Sequence, residues 1–225
     1  MLNENVTKIL NEISSGNNLG EKITLVAATK TQSAETINAA IASGLTVVAE
    51  NKVQEFREKT ALLSPCRQHF IGHLQTNKVK YIVGKVELIH SVDTLNLSKA
   101  INEFAAKKGI VQDILVEINV GGEESKSGFA PAEAESAVRE ITETLKNVRI
   151  KGLMAMMPIS NDNDYLASLF DKMRNLYDKL KNEGFPFTYL SMGMSEDYKI
   201  AIAHGSNTIR LGTALFGKRN YGENN

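Results

Sequence analysis

Tryptophan is absent from this sequence, cysteine occurs once, at Cys66, and proline only four times in 225 residues. A lone cysteine excludes an intramolecular disulfide framework and any cysteine-based zinc site. An excess of either charge is missing too: 26 Lys and Arg stand against 26 Asp and Glu, a formal net charge of +0. With no excess charge there is no long-range field to draw in nucleic acid or an anionic membrane, so an anion has to be bound by local geometry. No apolar run reaches the roughly 18 residues of a membrane span. The N-terminal MLNENVTKILNEI is a polar amphipathic pattern without the apolar stretch of a signal peptide. The expected setting is the cytoplasm, with neither nucleic acid nor membrane as partner. The four histidines show no ligand spacing with a carboxylate, so no metal site is expected.

What the sequence does have is alternation. Short apolar runs lie at 23–29, 45–50, 69–72, 87–90, 113–120, 149–156, 188–193 and 207–213. Segments of helical periodicity lie between them, at 33–43, 51–63, 75–83, 94–107, 131–146, 162–182 and 195–204. Ser33 and Pro131 are start signals, and Gly44, Gly109, Gly184 and Gly205 stand just past periodic segments, where a left-handed cap favours glycine. About eight strands alternating with helices implies parallel βαβ units, and eight is the number that closes a barrel. The expected fold is a single α/β domain over 1–225: a TIM-type (β/α)8 barrel with an extra N-terminal helix in about 1–20 and a tail at 218–225. An open doubly wound sheet competes, but it normally carries a glycine-rich turn after its first strand, and AATKTQSAE has no glycine. The polar stretch GGEESKSGFAP, 121–131, reads as a mobile loop on the C-terminal face.

In a parallel barrel the C-terminal strand ends meet on one rim, which carries the site. Those ends supply Lys30, Asn51, His73, Asn119, Met154–Met156, Ser191–Ser195 and Arg210–Thr213. SMGMSEDYKIAIAHG places Ser191, Gly193 and Ser195 in a turn entering a helix, and NTIRLGTALFG repeats the device with Gly212 and Thr213. Two such turns after the last two strands suit a phosphate, although serine and threonine are also ordinary N-caps. Lys30 ends the buried-looking strand ITLVAATKTQ. Facing a phosphate site across a closed barrel, it is where a Schiff base to pyridoxal phosphate (PLP) would form, its neutral amine favoured by desolvation and neighbouring cations. The plain alternative is a lysine snorkelling to the surface. His73, with Gln75, Asn77 and Lys78 on the same rim, stands between site and structural residue. His90, His69 and His204 read as structural, and methionines 154, 156, 157, 192 and 194 as flexible packing around the rim.

The set AATKTQ, AENKVQE, FIGHLQTNK, SMGMSEDYKIAIAHG and IRLGTALFGKR, in this order, closely resembles the pyridoxal phosphate homeostasis proteins, which look like the barrel half of a fold-type III alanine racemase. The resemblance runs from about residue 5 to 221, with Ala49 standing where the family usually has glycine. It implies PLP held covalently on Lys30, the phosphate on Ser191, Gly212 and Thr213 with Ser195 assisting, and Arg210 at the pyridine nitrogen. Asn51, His73 and Met154 would line the ring or the pocket mouth. A guanidinium beside that nitrogen would disfavour ring protonation and restrain carbanion chemistry. The alternative for Arg210 is a surface arginine in an ion pair with a residue such as Glu117 or Asp197.

Two functions follow from the resemblance: a PLP carrier acting in vitamin B6 homeostasis, or a PLP-dependent amino acid racemase. Racemases of this type carry a further β domain that supplies a catalytic tyrosine. This sequence ends at Asn225, so that domain is expected to be absent, which favours the carrier, with apo PLP-dependent enzymes as recipients and a monomeric state. A sugar-phosphate Schiff-base enzyme would need acid/base carboxylates at strand ends, where only Glu50 and Glu117 qualify. Lys78, Lys80 and Lys85 offer a basic face for a partner or simply a solvated one.

Overall fold

The computed structural model describes residues 2–123 and 126–217. It opens with helix α1 (Leu2–Glu12) and continues β1 (Thr24–Ala28), α2 (Ala34–Ala42), β2 (Val47–Glu50), α3 (Val53–Lys59), β3 (Arg67–Phe70) and β4 (Leu88–Val92). Then come α4 (Leu95–Lys107), β5 (Gln112–Ile118), α5 (Pro131–Thr144), β6 (Val148–Ala155), α6 (Asn163–Asn182), β7 (Tyr189–Ser191), α7 (Tyr198–Ala203), β8 (Thr208–Leu211) and α8 (Thr213–Phe216). The strands form a closed barrel in sequence order, and β1 meets β8 in parallel register from Thr24↔Thr208 to Ala27↔Leu211. Closure decides for the TIM-type barrel and against the open sheet.

The apolar runs are continuous because both faces of each strand are covered. On the inner face Val26 and Ala28 of β1 meet Val47 and Ala49 of β2 and Ile71. On the outer face Leu25, Ala27 and Val48 pack with Ile37 and Ala40 of α2, and with Val6 and Ile9 of α1. Ser33 caps its helix as expected, accepting from the Thr36 N–H, and Thr94 and Asp162 likewise accept from the N–H groups of Leu97 and Tyr165.

Two strands carry an extra residue. Ile114↔Ile150 gives way to Val116↔Leu153, so β6 bulges near Gly152; Ile89↔Ile114 gives way to Val92↔Val116, so β4 bulges at His90–Ser91. Gly152 has φ +147°, and a Cβ there would lie 1.8 Å from the Tyr189 carbonyl oxygen, so only glycine lets β7 approach. Bulges of this kind re-aim the side chains beside them.

Three expectations need correction. The segment 75–83 is not an α-helix but a short 3-10 helix, Thr76–Tyr81; Lys78 and Lys80 lie over the Tyr81 ring with Arg57, at 6.0, 5.1 and 4.6 Å. The 121–131 loop is anchored rather than loose among its described residues. Phe129 bridges Ile118, Asn119 donates to the carbonyls of Glu123 and Lys126, and Lys126 donates to that of Met157. The N-terminal helix stops at Glu12, short of residue 20, and the tail at 218–225 lies outside the described residues.

Candidate functional site

Lys30 sits in a turn that the chain holds under strain. Thr31 has φ +67°, the left-handed region, where a β-branched residue costs on the order of 1–3 kcal/mol. The opposing force comes from β2 and α3. Glu55 accepts from the Thr31 N–H at 2.7 Å and from Lys59 at 2.7 Å. Lys59 also donates to the Thr29 carbonyl at 3.2 Å and to Glu50 at 3.0 Å, while the Thr29 hydroxyl donates to Glu50 at 2.7 Å. Burial pushes the Glu50 carboxyl up against the pull of Thr29 and Lys59. At the less buried Glu55 burial also opposes ionisation, but the donors outweigh it and the pKa falls. The (i, i+4) pair Glu55–Lys59 places both groups on the face of α3 turned to this turn.

Where β8 closes against β1, a cavity of about 240 Å³ brings Lys30, Ser195, Arg210, Gly212 and Thr213 together, with Thr31, Gln32 and Met194 beside them. Ser195 accepts from the N–H groups of Gly212 (3.3 Å) and Ala214 (3.1 Å), so two backbone donors already converge on one oxygen here. Gly193 makes the preceding turn: at φ +99°, a Cβ would press within 2.7 Å of the Ala201 Cβ. Asp197 fixes the same turn by accepting from the Met194 N–H at 2.6 Å.

Arg210 is buried, not at the surface in an ion pair. Its Nη1 donates to the Ser191 carbonyl (2.8 Å) and hydroxyl (2.7 Å), and its Nη2 to the Ala155 carbonyl (3.0 Å) at the end of the bulged β6. Burial pulls its pKa down to about 10, with Glu117 and Asp197 opposing, so it stays cationic at neutral pH. Glu117, buried on β5, is pushed up to about 7 by burial and the Asp93 carboxylate, with Arg210 opposing.

The predicted residues therefore divide. Lys30, Ser195, Arg210, Gly212 and Thr213 share the cavity. Asn51 and His73 line a different one of about 260 Å³, with Lys52, Arg57 and Tyr81, and His73 pairs with Asp93 at 3.1 Å. Met154 is not at a pocket mouth: it is buried in the barrel's inner layer with Leu88 and Leu115, because its β6 position faces inward. Ser191 is fully buried, and its hydroxyl is engaged by Arg210 and His90. The clamp of Glu50, Glu55 and Lys59 escaped sequence reasoning, although the spacing of Glu55 and Lys59 was a usable signal.

The family model for the N-terminal domain of alanine racemase matches residues 4–220. A pyridoxal phosphate homeostasis protein of Aquifex aeolicus is 43% identical over 221 residues, 97% of this chain and 95% of the relative. The chain belongs to the pyridoxal phosphate homeostasis protein family. A member from Schizosaccharomyces pombe is 35% identical over 89% of this chain and 86% of its own length. The solved structure of PipY from Synechococcus elongatus without PLP superposes with TM-score 0.87 at 30% identity, covering 96% of this chain and 100% of PipY. The form with PLP bound gives TM-score 0.84 at 29% identity with the same coverage. Alanine racemase of Clostridium difficile, at 17% identity and TM-score 0.77 over 97% of this chain and 59% of the racemase, shares the fold.

Proposed function

We propose that this protein binds pyridoxal 5′-phosphate as a Schiff base on Lys30 and acts in the cell's supply and buffering of that cofactor, without strong catalysis of its own. The observation that carries this reading is the single cavity in which Lys30 meets Ser195, Gly212, Thr213 and Arg210. The donor set suits the ligand: an amine for its aldehyde, hydroxyl and backbone N–H groups for its phosphate, and a guanidinium for its pyridine nitrogen. The PLP-bound form of PipY and the names of the relatives support it.

Lys30 would hold the cofactor through its amine, and bound pyridoxal phosphate would supply the aldehyde for that bond, with one water lost. The N–H groups of Gly212 and Ala214 now directed at Ser195 are the donors for a phosphate oxygen, with the hydroxyls of Ser195 and Thr213 completing the cradle. Ser191 serves instead to hold Arg210. The cationic Arg210 would be the residue to meet the ring nitrogen; there it would disfavour protonation of that nitrogen and leave the ring a poor electron sink, which disfavours racemase chemistry. A cofactor so bound is held and released rather than used, with cytoplasmic apo-enzymes as recipients.

The test is direct. Purified protein loaded with PLP should be yellow, borohydride should fix the ligand, and mass spectrometry should find it on Lys30. Lys30→Ala should abolish fixation. Epimerisation of L-alanine or other amino acids at enzyme-like rates would establish the racemase reading instead. Transfer of labelled PLP to an apo-transaminase tests the carrier role.

A further inference from the structure

Behind Arg210 a line of buried polar groups crosses the barrel interior. The Ser191 hydroxyl, on β7, lies 2.7 Å from Arg210 Nη1 and 3.0 Å from His90 Nδ1, on β4. His90 Nε2 lies 3.0 Å from His69 Nδ1, on β3. Both imidazoles are buried, and the bulge at His90–Ser91 belongs to the strand segment that delivers His90 to its partner across the barrel. His69 Nε2 meets no protein partner among the described residues.

The direction of this chain comes from counting protons. Guanidinium only donates, so Ser191 Oγ accepts from Arg210. If the hydroxyl donates to His90 Nδ1, then His90 carries its proton on Nε2 and donates to His69 Nδ1, and His69 also carries its proton on Nε2. One polar atom, His69 Nε2, is then left without a protein partner. Reversing the two imidazole bonds leaves that same atom without a donor and strands the Ser191 hydroxyl proton as well, since Arg210 and His90 are the side-chain partners of that hydroxyl among the described residues. A second buried orphan is a penalty the first arrangement avoids. The first arrangement also turns the lone pair of Ser191 to the cation and its proton away.

We propose that His90 and His69 are positioning residues: as neutral, Nε2-protonated imidazoles they orient the Ser191 hydroxyl and so fix the Arg210 guanidinium where it meets the ring of a bound cofactor. The chain itself stands on the hydrogen-bond geometry, and its consequence for the ring rests on the PLP-binding reading above. Because the imidazoles stay uncharged, the only cation in this line is the one presented to the ligand.

Two measurements decide it. In the ligand-free protein, long-range ¹H–¹⁵N NMR at pH 7 should report both His90 and His69 neutral with the proton on Nε2; a proton on Nδ1 of either, or an imidazolium, overturns the chain. In the PLP-loaded protein, His90→Leu should release PLP about tenfold faster and shift the pH dependence of the bound absorbance band, as expected when a charged hydrogen-bonding group loses its support. His90→Gln, whose amide accepts from Ser191 and donates to His69, should restore both to within about threefold. A folded His90→Leu protein with unchanged release and band overturns the positioning role, as does failure of His90→Gln to rescue. Should the wild type not bind PLP at all, the functional reading fails, while the NMR result still decides the direction of the chain.

Discussion

Lys59 donates to the main-chain carbonyl of Thr29 at 3.2 Å, so a side chain on α3 grips the backbone one residue before Lys30. The same ammonium pairs with Glu50 and Glu55, at 3.0 and 2.7 Å, with little of any of the three side chains exposed. Removing one member of a buried charge cluster leaves the others uncompensated. Lys59→Met should therefore destabilise the fold by about 2–4 kcal/mol in denaturant titration. It should also loosen the turn carrying Lys30, read as faster release of bound PLP.

A second expectation concerns acidity inside the barrel. Glu117 holds its proton to about 7, against an ordinary 4.5, because burial and Asp93 outweigh Arg210. Its folded pKa is raised, so its contribution to stability is complete below about pH 4.5 and is lost as pH rises through 7. Glu117→Gln mimics the protonated form. It should match the wild type near pH 4 and be more stable at pH 8 by roughly 1–3 kcal/mol. Unfolding curves across pH 4–8 test both sign and window. His69, lowered by burial to about 4, acts in the opposite sense and removes stability as pH falls below about 6.5.

These two cases also mark how far the sequence could be read. The eight strands were legible because a strand buried on both faces is an apolar run, and Leu25, Val26, Ala27 and Ala28 are such a run. The five residues of the cavity were legible because a barrel gathers its strand ends, wherever they fall in the chain. Segment 75–83 misled because Val79, Ile82 and Val83 are buried at helical spacing, yet the chain there closes in a 3-10 turn. Ser191 and Met154 are buried and do not line the cavity that holds Lys30, a depth that strand position alone does not give. The chain from Arg210 to His69 depends on contacts between β3, β4, β7 and β8, and no local pattern encodes them.

The bulge in β6 gives a third prediction. A methyl group at Gly152 would stand 1.8 Å from the Tyr189 carbonyl oxygen, and β6 and β7 pair at that point. The strands would have to part or the bulge would have to unwind, shifting the Ala155 carbonyl that receives Arg210. Gly152→Ala should cost about 3 kcal/mol or more in thermal or denaturant unfolding, a loss typical of severe backbone clashes.

The last prediction separates strain from stability at Lys30 itself. Thr31 is the only non-glycine among the described residues with positive φ, at +67°, and its N–H is committed to Glu55 at 2.7 Å. Glycine adopts that backbone without the Cβ penalty and keeps the N–H, but it has more freedom to lose on folding. Relief of roughly 1–3 kcal/mol of strain against roughly 0.5–1 kcal/mol of added entropy cost predicts a net gain near 1 kcal/mol for Thr31→Gly. The midpoint of unfolding should rise accordingly. The same change frees the backbone beside Lys30, so PLP should leave the more stable variant faster than it leaves the wild type. A variant both more stable and equally retentive would mean that the Glu55–Lys59 clamp alone sets the position of the amine.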